Sequence, residues 1–103
     1  MAIESINPAT GETLERFDEL DDAGVERALE GSVRAFDALR RTTFGERAAW
    51  MMEAAAVLER ERDRWARIAT EEMGKTLAAA RAEVDKCAWV CRYYAEEAEG
   101  HLA

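Results

Sequence analysis

Polar and apolar residues alternate over short distances from Glu4 to Leu20, and beyond that point the apolar residues recur at steps of three and four. In the first segment Ile6 precedes a cluster of turn formers, Asn7-Pro8-Ala9-Thr10-Gly11-Glu12, and Leu14 and Phe17 follow it. This is the pattern of a small β-hairpin. Two strands alone are not stable in water, so something must cover them. Asp21 and Asp22 can then cap a helix running to about Arg41, with Val25, Ala28, Leu29, Val33, Phe36 and Leu39 on one face. Thr43-Phe44-Gly45-Glu46 has the form of a capping box. It opens a helical stretch from Phe44 to Met73 that presents Ala48, Met52, Ala55, Ala56, Leu58, Trp65, Ile68 and Ala69, with a bend expected in the charged run 59–64. Gly74 is placed to stop that stretch in a left-handed conformation, and Thr76 to cap the next. The last helix is expected from Leu77 to about Glu99, with Gly100 ending it. Its stripe is Leu77, Ala80, Val84, Cys87, Ala88, Cys91, Ala95 and Ala98. The chain therefore reads as mostly α: a hairpin over 1–20 and about four helices over 21–103.

Composition sharpens this picture. With 103 residues the chain is one domain or part of one, and its 49% hydrophobic content argues against disorder. Many of the apolar positions are Ala, which buries little area, so the core gains little and the chain is expected to want a partner surface. The 22 acidic and 14 basic residues give a net charge of -8. Arg is interleaved with acid, as in Glu59-Arg60-Glu61-Arg62-Asp63-Arg64, which is a solvated helix face and not a phosphate-binding patch. Nucleic-acid binding is not expected. The opening residues lack the basic head and apolar core of a signal peptide, and no run approaches a membrane span. A cytoplasmic location is the expectation.

Few residues offer chemistry. Ala69-Thr70-Glu71-Glu72-Met73-Gly74-Lys75-Thr76 loosely fits a phosphate loop. That loop needs a strand before it and free N–H groups, whereas here a helix precedes it and two Glu would face the phosphates. It is read as a helix stop and a cap. Cys87 and Cys91 lie one turn apart, but zinc needs three or four ligands and His101 is distant, so both are assigned to packing. Trp50, Trp65, Trp89, Tyr93 and Tyr94 are read as core or docking anchors. His101 lies near an end expected to fray and receives no role.

Four segments resemble one family in order. Ser5-Ile6-Asn7-Pro8-Ala9-Thr10-Gly11-Glu12 is similar to the opening turn of aldehyde dehydrogenases. Ala35-Phe36 with Arg40, Arg41 and Arg47 is similar to their first two helices. Glu72-Met73-Gly74-Lys75 resembles their helix stop. The run from Cys87 to Glu97 resembles the following helix in shorter succinate-semialdehyde dehydrogenases. The resemblance covers essentially the whole chain and implies an α/β superfamily of which this is a fragment.

That resemblance implies NAD- or NADP-dependent oxidation of an aldehyde, here succinate semialdehyde, to its acid. In the family a cysteine thiolate attacks the aldehyde carbon and hydride passes to the cofactor. The residues for catalysis and for cofactor binding lie beyond position 103, and neither Cys87 nor Cys91 matches the nucleophile. This chain alone is thus expected to bind no cofactor. Residues 21–103 correspond to the helical part of a dinucleotide-binding domain lacking its sheet. Ala82 and Lys86 match positions facing the substrate tunnel. Lys86 stands where an apolar residue is common, which suits a carboxylate-bearing aldehyde or a solvated surface. Ser5, Ile6 and Glu72 match a monovalent-cation site, although Glu72 can equally hold the helix end against the hairpin. The expected partners are the rest of the dehydrogenase polypeptide and further copies in a homo-oligomer. Gly100-His101-Leu102-Ala103 stops where the family runs on, so a front fragment is favoured over a stand-alone helical interaction module.

Overall fold

The computed structural model describes residues 3–103. Strand β1 (Ile3–Ile6) pairs antiparallel with β2 (Thr13–Phe17), and four helices follow: α1 (Asp22–Leu39), α2 (Phe44–Arg60), α3 (Arg62–Met73) and α4 (Leu77–Leu102). The hairpin and the four helices stand where the pattern places them, and Met1 and Ala2 lie outside the described residues.

The turn chemistry explains the hairpin. Asn7 Oδ1 accepts from the Ala9 N–H at 2.9 Å and the Asn7 carbonyl accepts from the Gly11 N–H at 2.8 Å. Gly11 closes the loop at φ 78°, a left-handed conformation open to glycine. Glu4 and Arg16 face each other in the register and form an ion pair at 2.9 Å. The register slips between Ser5 and Ile6, which pairs with Thr13.

Each helix start follows from its local sequence. Asp21 accepts from the Gly24 N–H at 2.6 Å. Thr43 and Glu46 form the full capping box, and Thr76 accepts from the Ala79 N–H. The bend in the charged run is the break at Glu61, between α2 and α3. Gly74 ends α3 at φ 70°, and its N–H donates to the Thr70 carbonyl.

α4 is the spine. It lies along α2 and α3, and Ala66, Ala80 and Val84 form a small core with Leu58, Trp65 and Ala69 packed against it. Ala55 and Ala88 are buried too. Small side chains let the helix backbones come close but leave little apolar area to bury. Ion pairs between elements add direction: Arg92 grips Glu59 with two N–H groups at 3.0 and 2.7 Å, Arg81 meets Asp63 at 2.9 Å, and Arg62 meets Asp85 at 3.4 Å.

Four sequence expectations are corrected. α4 continues through Gly100 to Leu102, because an exposed glycine can hold helical angles while the backbone ladder runs on. His101 is therefore helical and not frayed, with its Nε2 3.2 Å from the Tyr93 hydroxyl. Cys87 is exposed and Cys91 only partly buried, since Ala80, Val84 and Ala88 occupy the line that meets α2 and α3. In α3 the buried residue is Ala66, and Ile68 is exposed on the other side.

The α1 stripe sits on one face as its period requires, but among the described residues nothing covers it. Val25, Leu29, Val33 and Phe36 keep 45, 55, 66 and 63% of their surface exposed. The molecule as a whole exposes 8017 Å², whereas a compact folded chain of its mass exposes about 5,800 Å². Its radius of gyration is 17.7 Å, against about 13 Å for a compact domain of this length. The surplus, about 2,200 Å² on that scaling, is comparable with a large permanent interface.

Acid sensitivity follows from two carboxylates. The hydrogen bond from the Thr43 backbone N–H holds the Glu46 carboxyl below its usual 4.5, and the Arg92 guanidinium does the same for Glu59. A carboxyl depressed in the folded state stabilises fully above its unfolded value, and that contribution is lost as pH falls through the folded value. The melting temperature is expected to hold from pH 7 to about 5 and to drop below about 4.5. A thermal melt series checks this, and Glu59→Gln is expected to flatten the acid limb.

Candidate functional site

The hairpin turn is seated on the end of α3. The Ser5 hydroxyl donates to Glu72 Oε1 at 2.8 Å, joining β1 to the last turn of α3 across 67 residues of sequence. Beside it Pro8 packs over Gly74, where a Cβ would come within 3.1 Å of the proline Cγ. Gly74 therefore has two reasons to be glycine, its positive φ and its close neighbour. Gly74→Ala is expected to cost about 1–2 kcal/mol from the left-handed conformation alone, read as a lowered urea midpoint. Asn, which tolerates that conformation better, still has to displace Pro8.

Ser5 and Glu72 are thus brought together, and Ile6, half-exposed, adjoins them at the end of β1. Their oxygens are of the hard kind that suits a monovalent cation. The hydrogen bond already satisfies one carboxylate oxygen, however, so a latch between strand and helix needs no ion. Among the described residues no cluster of three or more His, Cys, Asp or Glu side chains is arranged around a common point.

Ala82 and Lys86 lie one turn apart on an exposed face of α4. Lys86 Nζ sits 4.4 Å from the centre of the Trp89 ring, a cation–π contact. Trp89 stacks on Tyr93 at 5.6 Å, and Tyr93 meets Tyr94 edge-on at 5.1 Å. Lys86, Trp89 and Tyr93 follow at i,i+3 and i,i+4 spacings that put them on one face of the helix, and Tyr94 is the next residue along. On the opposite side of the α3–α4 pair a groove of ≈ 490 Å³ is walled by Leu58, Trp65, Met73, Val84 and Cys87, with the Lys75–Glu83 ion pair at its rim.

The 69–76 segment is a helix, a glycine stop and a threonine cap, and so has no phosphate-loop form. Trp50 and Trp89 are each 55% exposed, which makes them surface and not core residues. Among the described helices none is long and apolar enough to cross a membrane.

A profile of the aldehyde dehydrogenase family matches residues 1–102. The chain belongs to the aldehyde dehydrogenase family. It is 46% identical over its whole length to a probable succinate-semialdehyde dehydrogenase [NADP(+)] of Synechocystis sp., and 50% identical to succinate-semialdehyde dehydrogenase [NADP(+)] 1 of Mycobacterium tuberculosis. It spans 23% and 22% of those two relatives. Succinic semialdehyde dehydrogenase of Streptococcus pyogenes, solved with NADP+, superposes on 97% of the chain with a TM-score of 0.90 at 37% identity, again over 22% of its own length. In an aldehyde dehydrogenase fold this chain is therefore an N-terminal segment, a two-stranded hairpin with four helices.

Proposed function

We propose that this chain is the opening segment of an NADP-dependent succinate-semialdehyde dehydrogenase, and that the groups that react with aldehyde and cofactor lie in the part it does not include. The carrying observation is coverage: relatives bearing that name align with all of the chain but with under a quarter of themselves. The surplus of exposed surface supports the same reading, since the rest of a longer polypeptide is the natural cover for it. Residues 1–20 then form a strand pair and residues 21–103 the helical layer of an incomplete dinucleotide-binding domain. By itself the chain is expected neither to bind NADP nor to oxidise an aldehyde.

Within the complete enzyme Ala82 and Lys86 border the route of the substrate. Lys86 is held over Trp89, so its ammonium is partly pre-oriented to attract the carboxylate of succinate semialdehyde. Ser5 and Glu72 lock the hairpin to α3, and with Ile6 they supply oxygen donors for a monovalent cation. The Ser5–Glu72 contact is what favours that grouping.

The test is a chimera in which this chain replaces the matching segment of the Mycobacterium tuberculosis relative. NADPH formation from succinate semialdehyde at a rate close to the parent supports the reading. A folded chimera that leaves the aldehyde untouched contradicts it. In that chimera Lys86→Met is expected to raise KM for succinate semialdehyde severalfold and to leave KM for an uncharged aldehyde unchanged, as measured by initial rates.

A further inference from the structure

We propose that Tyr93 is the tyrosine on which one-electron oxidants act in this chain, with His101 taking up its proton. The inference rests on contacts within α4 and holds whether or not the dehydrogenase reading does. The chain has two tyrosines, Tyr93 and Tyr94, adjacent in sequence but unlike in their surroundings. The Tyr93 hydroxyl lies 3.2 Å from His101 Nε2, with the ring centres 6.0 Å apart. A phenol O–H is far more acidic than an imidazole N–H. The phenol therefore donates, and the neutral ring, protonated on Nδ1, accepts. Among the described residues the Tyr94 hydroxyl has no such partner.

Loss of an electron turns a phenol into a strong acid, and the radical persists only once the proton has gone. At Tyr93 the acceptor is already in contact. The imidazolium that forms donates back to the phenoxyl oxygen, and that bond is charge-assisted, roughly twice as strong as the neutral one it replaces. A phenol facing open water hands its proton to solvent, a much weaker base than imidazole. The ring stack directs oxidation to the same residue. Trp89 lies 5.6 Å from Tyr93, near enough to exchange an electron with it. The Lys86 ammonium, 4.4 Å from the Trp89 ring centre, opposes any positive charge resting on the indole. A tyrosyl radical that has shed its proton carries no net charge and meets no such opposition.

The reaction balances with the carbonate radical anion as oxidant. It takes one electron from Tyr93 and becomes carbonate, while the hydroxyl proton moves to His101. Carbonate then removes that proton from the imidazolium and leaves as bicarbonate. Nitrogen dioxide couples to the ring carbon beside the phenoxyl oxygen. The hydrogen on that carbon departs as a proton and the oxygen regains one, giving nitrotyrosine. Peroxynitrite and carbon dioxide together supply both radicals.

Peroxynitrite added to the 103-residue chain in bicarbonate buffer tests this, with nitration at each tyrosine read from fragment ions of the peptide that carries both. By exposure alone Tyr94 is the better target, since it keeps 51% of its surface against 37% for Tyr93. The expected result is the reverse, with Tyr93 nitrated about three- to tenfold over Tyr94. His101→Phe keeps a ring and removes the acceptor, and His101→Gln keeps an acceptor that cannot take the proton. Each is expected to bring the ratio to one or below. Circular dichroism is expected to show unchanged helix content, because His101 is exposed in the last turn of α4. Equal nitration of the two tyrosines in the parent chain, or a preference for Tyr94, overturns the proposal. A preference for Tyr93 that survives either change at His101 overturns it too, since the proton acceptor would then not be what sets it.

Discussion

Ala80→Leu is expected to destabilise the chain by about 1–3 kcal/mol, although it adds hydrophobic surface. Ala80 is fully buried on α4 and belongs to the cluster with Ala66, also fully buried, on α3. The two helices approach closely because both positions stop at Cβ. Three further carbons have no room unless α4 moves away from α3, and that movement would also part Arg81 from Asp63. In a larger core such strain is shared among many neighbours. Here the core is a handful of side chains, so the loss is a large share of total stability. Urea denaturation of the purified variant measures it, and an unchanged or raised midpoint would show that α3 and α4 are more loosely joined than the burial of these alanines says. Ala82→Leu, on the exposed face of the same helix, is expected to change stability by less than about 0.5 kcal/mol.

A larger loss is expected from Val84→Asp. Val84 is 7% exposed, packed with Leu58, Trp65 and Ala69 around it. A carboxylate there has no cation within that cluster, and desolvating an unpaired charge costs several kcal/mol or forces local opening. The variant is expected to lose its cooperative melt at neutral pH. Val84→Ala, which removes only two carbons, is expected to lose about 1–2 kcal/mol and keep the melt. Circular dichroism of the pair separates the penalty for charge from the penalty for lost volume. Equal loss in both would mean that water reaches position 84.

Local features were legible in the sequence because their causes are local. Asp21, Thr43 and Thr76 cap helices through N–H groups three residues away, and Gly11 and Gly74 adopt the positive φ that their turns demand. What depends on a second element was not. The 3.6 period of α1 says that Leu29 and Val33 share a face, but not whether anything covers it. Cys87 and Ala88 are adjacent on α4 and equally compatible with an apolar stripe, and only the placement of α2 and α3 decides that Ala88 is the buried one. Gly100 looks like a stop, yet a glycine stops a helix only when its left-handed conformation is used, and here it is not. The pairs Arg81–Asp63 and Arg92–Glu59 span 18 and 33 residues, beyond any periodic rule.

The candidate site divides in the same way. Glu72 was placed against the hairpin by the family resemblance, and beside it stand the turn's Pro8 and the helix stop's Gly74. Their direct contact supplies the reason for both. Ala82 and Lys86 likewise came from the resemblance, whereas the indole beneath the Lys86 ammonium depends on rotamers that neither resemblance nor spacing specifies. On the proposed reading, each is a surface completed by the rest of a longer polypeptide.

Thermal unfolding of this chain with and without its complement tests that claim most directly. The complement is the remaining length of the Mycobacterium tuberculosis relative, expressed separately and mixed in excess. Burying much of the surplus surface is expected to produce a stable complex and to raise the melting temperature by more than about 10 °C. An unchanged melting temperature, with no complex formed at high concentration of the two parts, would contradict the account.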